Sequence, residues 1–167
     1  AGAVQEDGTL GASGDVLAND TDVDAGDTKA VSQVNGLPGN VGVGVAGTYG
    51  SVQIDANGAW VYALNNASPL VQALAAGQTV TDSFTYRVTD GAGGSAVATL
   101  VITITGANDA PSIAGGTVLA YTENQPATAI DPTLTLTDID SATLATATVA
   151  IVGNYVAGED VLGFTNA

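Results

Sequence analysis

The stretch SFTYRVTDGAGGSAVATLVITIT (83–105) decides the fold. Phe84, Tyr86 and Val88 alternate with Ser83, Thr85 and Arg87. Ala98, Leu100, Ile102 and Ile104 alternate in the same way with Thr99, Val101, Thr103 and Thr105. A period of two places successive side chains on opposite faces of an extended chain, so each run predicts a strand with one buried and one wet face. The Gly-rich turn DGAGG (90–94) joins the two as an antiparallel hairpin with a longer loop.

The same pattern continues upstream. VQID (52–55) and AWVYAL (59–64) flank Ala56-Asn57-Gly58, and Asn-Gly between alternating runs is a strong hairpin cue. Trp60 reads as sandwich core. SPLVQALAAG (68–77) differs, with Leu70, Val71 and Leu74 at helical spacing, Pro69 near its start and Gly77 after it. It predicts one short helix crossing between strands. Short strands with turn signals every ~8–12 residues make the remainder an all-β sandwich. In GANDAP (106–111), Pro111 cannot donate to a ladder, so the first module should close there.

The chain beyond Pro111 reads as a second copy of the beginning. AVQEDGTL (3–10) is similar to AYTENQPA (120–127), and TDVDAGDT (21–28) to TDIDSATL (137–144). Glu6 aligns with Glu123 at a shift of 117, and Asp22 and Asp24 with Asp138 and Asp140 at a shift of 116. The expected division is a β-sandwich at 1–107, a linker at 108–111 and the N-terminal half of a second module at 112–167. That half has no counterparts of the later strands, so it predicts an open edge and an uncovered apolar face.

Composition narrows the chemistry. Seventeen carboxylates face only Lys29 and Arg87, a net charge of −15. Nucleic acid and anionic membrane surfaces are poor partners for such a chain, since both recruit Lys and Arg. No stretch approaches the ~20 apolar residues of a membrane helix. With no Cys, Met or His, thiolate and imidazole metal sites and Ser–His or Cys–His catalysis are excluded. Hard oxygen ligands remain, and these suit calcium or magnesium.

The acidic cluster NDTDVDAGDT (19–28) is not an EF-hand, because Ala25 and Val31 stand where the loop needs Gly and a bidentate Glu. DGAGGS occurs once, without the tandem GGxGxD units of nonapeptide calcium repeats. No carboxylate pair at fixed spacing marks a glycosidase, and no enzyme is expected. Distant pieces instead offer oxygens for one irregular calcium shell: Glu6, Asp22, Asp24, Asp90, Asn108 and Asp109, with Asp138 and Asp140 of the next copy facing the same linker. Glu123 repeats Glu6. Asp90 and Asp109 are equally good turn formers. Asp7, Asp15, Asp27, Asp55, Asp82 and Asp160 are expected on solvated loops.

QEDG, DVD, TDGAGG and GANDAP together resemble the signatures of bacterial cadherin-like and VCBS repeats, as do residues 47–66 and 70–94. The resemblance covers essentially the whole chain. It implies Ig-like sandwiches strung end to end with Ca2+ at the junctions, in the extender regions of large adhesins on the bacterial cell surface, exported by type I secretion. The expected role is a calcium-stiffened spacer in adhesion or a biofilm matrix, its partners neighbouring repeats or a surface target. Two alternatives stand beside it: a filament subunit whose half module accepts strands from an identical chain, and a glycan- or surface-binding module.

Overall fold

The computed structural model describes residues 1–163 apart from Ala25, Glu123 and Asn154. The chain is all-β, built of several antiparallel sheets, as the alternation predicts. Strands β1 (Gly2–Gln5), β2 (Gly11–Asp15), β3 (Ala30–Val34), β4 (Val45–Ala46), β5 (Gly50–Ile54) and β6 (Ala59–Leu64) lead to a helical turn, α1 (Pro69–Gln72). Then come the long strands β7 (Thr79–Thr89) and β8 (Ser95–Thr105). One sheet has the order β1-β8-β7-β3 and the other β2-β6-β5-β4.

The hairpins are those the sequence encodes. β7 and β8 pair in register from Thr79↔Thr105 to Thr89↔Ser95. β5 and β6 pair from Gly50↔Leu64 to Ile54↔Trp60. Their turn needs Gly58, whose φ of 90° is a conformation other residues rarely adopt. The Asn57 side chain accepts the Ala59 N–H at 3.1 Å. β1 instead runs parallel to β8, with Gln5 opposite Thr105, so both strands end at the same end of the sandwich.

The core lies between the sheets. Phe84, Leu100, Ile102 and Ile104 meet Val52, Ile54, Trp60 and Tyr62. The Tyr62 and Phe84 rings tilt at 58° with centroids 6.3 Å apart. Ala98, expected to face inward, is exposed like all of Ser95–Thr99, a stretch that β1, which pairs with β8 only from Ile102 on, leaves uncovered at the sheet edge. The expected helix over 68–77 shrinks to one turn, capped by Ser68 Oγ accepting the Leu70 N–H at 3.3 Å. Burying Val71 and Leu74 is all the core asks of it, and so short a helix has little stability of its own.

Beyond the linker, β9 (Ser112–Ala114) pairs antiparallel with β10 (Thr135–Thr137). Every residue of both strands is exposed. Among the described residues, no hydrophobic side chain after Ile104 is buried.

Candidate metal centres

Because β1 and β8 end together, Glu6 leaves the sheet beside the linker. Its N–H donates to Thr105 O at 3.0 Å. Its carboxylate is 1 % exposed, an unusual place for a charge. Oε2 accepts the Ala107 N–H at 3.0 Å, and Oε1 accepts from Gln72 Nε2 at 3.0 Å. Neither donor carries a charge. Burial therefore pushes the Glu6 carboxyl above its usual range; the Ala107 N–H pulls it back, and the charges of Asp109, Asp7 and Asp140 push it further up.

The linker brings the next acids to the same place. The Asp109 N–H donates to Asp140 Oδ2 at 3.3 Å, a contact across thirty-one residues of sequence. Asp138 Oδ1 accepts the N–H groups of Asp140 and Ser141 at 3.2 and 2.9 Å, which folds the TDID segment into a turn. Asp109 Oδ2 is buried and has no hydrogen-bond partner among the described residues. Burial raises the Asp109 carboxyl, followed by the charges of Asp7, Asp140 and Asp138. Asp140 is held low, first by a side-chain hydrogen bond with Asp138 and further by the Asp109 N–H. Five carboxylates thus share one junction. The two basic side chains lie elsewhere: Lys29 Nζ donates to Asp20 O, and Arg87 Nη2 to Ser95 Oγ at 2.7 Å.

A second acidic group occupies the opposite end. Ala30 pairs with Thr89, so the 19–29 loop lies beside the β7–β8 turn, at the other end of β8 from Glu6. There Asp22, Asp24 and Asp27 bring one oxygen each within 4.8 Å of one another, close enough to hold a metal ion. The DxD spacing produces this locally, with the Asp24 N–H donating to Asp22 Oδ1 at 2.9 Å. Asp90 lines the same cleft as Asp20 and Asp22. Its Oδ1 accepts the N–H groups of Ala92, Gly93 and Gly94 at 2.8–2.9 Å, so it shapes the DGAGG turn.

The residues named from sequence therefore do not converge on one shell. Glu6, Asp109, Asp138 and Asp140 meet at the linker. Asp22, Asp24 and Asp90 lie at the far end, because the parallel β1–β8 pair and the eleven-residue hairpin hold the ends apart. Asn108 is exposed and donates to its neighbour's carbonyl, Asp109 O, at 2.6 Å. Glu123 lies outside the described residues. The junction carboxylates feel one another's charge without forming a group as close as Asp22, Asp24 and Asp27, the only such group among the described residues.

Asp27 sits on a loop as expected, half-buried, and completes the second acidic group. One aspartate expected on a solvated loop sits elsewhere. Asp82 is 3 % exposed on β7, where Oδ1 accepts the Thr48 N–H at 2.7 Å. Its Oδ2 accepts Tyr49 N–H, Gly50 N–H and Tyr62 OH at 3.1, 3.1 and 2.7 Å. Period-two alternation carried one step before Phe84 places it inward, whereas the strand signal SFTYRV starts only at Ser83.

Residues 1–106 match the family model described as a bacterial cadherin-like domain. Among curated proteins, none matches the chain. Among the described residues, no helix is long and apolar enough to cross a membrane.

Proposed function

The chain belongs to the bacterial cadherin-like domain family, a family of extracellular, adhesion-type repeats, and from that premise we propose that it is a calcium-stiffened spacer of a bacterial cell-surface adhesin. Glu6, Asp109, Asp138 and Asp140 would hold a calcium ion at the junction, with Asn108 as a further oxygen donor, and Glu123, the repeat of Glu6, would serve the junction after the second module. Asp22, Asp24 and Asp27, joined by Asp90, would present the equivalent half-site toward a preceding repeat. Calcium supplies the positive charge that lets these carboxylates stay ionised side by side.

The observation that carries this reading is the buried, unpartnered Asp109 Oδ2 amid four other carboxylates and no basic side chain. A buried acceptor without a partner is costly, and a hard dication is the ligand such an oxygen lacks. The junction is electrostatically strained without the ion and cross-linked with it. Sites of extracellular modules typically bind at ~10⁻⁴–10⁻³ M, so the ion would be held outside the cell and largely lost inside. That difference suits type I export of a loose chain that stiffens on arrival, in an adhesive or matrix-forming surface protein.

Isothermal titration of the full chain should detect two classes of calcium uptake at submillimolar to millimolar levels, and Asp138→Asn with Asp140→Asn should remove one of them. A chain indifferent to ~10 mM calcium refutes the spacer.

A second reading rests on the apolar residues left bare beyond the linker. Val118, Val152 and Val161 are 96, 98 and 82 % exposed, and β9–β10 is a two-stranded sheet with both faces open. Strands from an identical subunit would cover them by β-strand addition. Concentration-dependent mass in light scattering supports this filament; a monomer at all concentrations removes it.

A further inference from the structure

Resting on the junction proposed above, we infer that Gln72 and Asn66 are positioning residues that set the two acids of the QED segment for the cation. Gln72 Nε2 donates to Glu6 Oε1 and to Asn66 O, each at 3.0 Å. Neither acceptor can donate, so the amide must turn its NH2 toward both, and its orientation is fixed. Asn66 grips Asp7 in two places: the Asp7 N–H donates to Asn66 Oδ1 at 3.0 Å, and Asn66 Nδ2 donates to Asp7 Oδ1 at 2.6 Å. That grip holds Asp7 at φ 52°, a left-handed conformation uncommon for a residue with a side chain.

The crossover that carries both residues is anchored independently of the acids. Val71 and Leu74 are buried in the core, and Ser68 caps the turn. Gln72 is thus a fixed polar arm on a rigid base. Together with the Ala107 N–H it gives each Glu6 oxygen one neutral donor. A carboxylate has about four lone-pair sites, so acceptor capacity remains for an ion. A neutral amide also orients the acid without placing a competing positive charge beside it. The two acids that follow β1 are set in advance, and Asp109, Asp138 and Asp140 close upon them.

The test uses the full chain titrated with calcium chloride. The amide resonances of Asp109, Asp138 and Asp140 report the junction, while those of Asp22, Asp24 and Asp27 serve as an internal reference. Gln72→Leu should weaken junction binding by roughly 10–100-fold, as loss of a ligand's supporting partner does, and leave the reference midpoint in place. Asn66→Ala, which spares the core, should weaken it in the same sense. Gln72→Lys retains a donor for both acceptors and should melt no lower than the parent, yet it should still bind calcium more weakly because its ammonium competes with the ion. A merely structural role predicts recovery in Gln72→Lys. Parental midpoints in all three variants overturn the inference and leave the junction reading intact. Silence of Asp109, Asp138 and Asp140 in the unmutated chain overturns both.

Discussion

Asp82→Asn should destabilise the first sandwich severely, although it changes neither size nor shape. The carboxylate takes four hydrogen bonds, one on Oδ1 from Thr48 N–H and three on Oδ2 from Tyr49 N–H, Gly50 N–H and Tyr62 OH. The amide has one oxygen. Its better placement keeps that oxygen for the three and turns NH2 against the Thr48 N–H. An orphaned buried donor costs about 1–3 kcal/mol. The other three bonds lose their charge assistance, roughly half their strength, or about 0.5–1 kcal/mol each. The sum is about 2.5–6 kcal/mol, a large share of the ~5–15 kcal/mol that stabilises a typical domain. Tyr62→Phe removes one donor and leaves Oδ2 two others, so it should cost only about 1–2 kcal/mol. Trp60, the sole tryptophan and 5 % exposed, reports unfolding by fluorescence in urea. Calcium is removed by chelator in every sample so that linkage to the ion does not enter. With a slope of about 1–3 kcal/mol per molar urea, the Asp82→Asn midpoint should fall by at least about 0.8 M. A loss below about 0.5 kcal/mol, the usual size for an exposed site, refutes the reasoning.

Burial and close packing set two further expectations. Burial first, then the Asp82 bond and charge, holds the Tyr62 hydroxyl far above the usual phenol range; burial and then the Asp20 charge raise Tyr86. A folded-state pKa above the unfolded one gives stability that is complete below about pH 10 and lost as pH rises through the folded value. Two tyrosines should therefore stay un-ionised in an alkaline absorbance titration until Trp60 fluorescence reports unfolding; five phenolates in a chain with native fluorescence contradict this. Gly50→Ala would set a methyl group against the Ala63 carbonyl and the Tyr62 ring, neither free to yield, and should cost about 1–3 kcal/mol in the same urea assay. Gly39→Ala, with nothing within 4 Å of its new carbon, is the neutral control.

The strands were legible because period-two alternation is a local signal. Phe84, Tyr86, Leu100, Ile102 and Ile104 all face the core as their parity requires. Parity says which face is inward but not where a neighbouring strand begins, and β1 covers β8 only from Ile102 on, so Ala98 stays exposed opposite the buried Tyr86. The acidic motifs were legible as motifs, and their grouping was not. Whether Asp22 and Glu6 share an end depends on β1 lying parallel to β8, a pairing between residues about a hundred apart for which no turn signal exists. Gln72 was hidden for a related reason. Within SPLVQALAAG it reads as the polar side of a helix, and its role appears only once α1 is placed against the end of β1.

The separation of the acidic groups determines how such a spacer would respond to its ion. β8 has eleven residues, and at about 3.3 Å each it holds the ends roughly 30 Å apart. Salt screens exposed charges beyond ~8–10 Å, so binding at one end does not change the field at the other. Coupling by another route requires an element with two arrangements, whereas β7 and β8 pair in unbroken register along their whole length. On the reading proposed here each sandwich is a rigid rod with two independent ends, and only the linkers change stiffness with calcium. The response of an array would then be set by the number of junctions and the strength of each, with no cooperativity passed through the module. A residue such as Gln72, which tunes one end without touching the other, is the kind of position at which such a protein can adjust its stiffness one joint at a time.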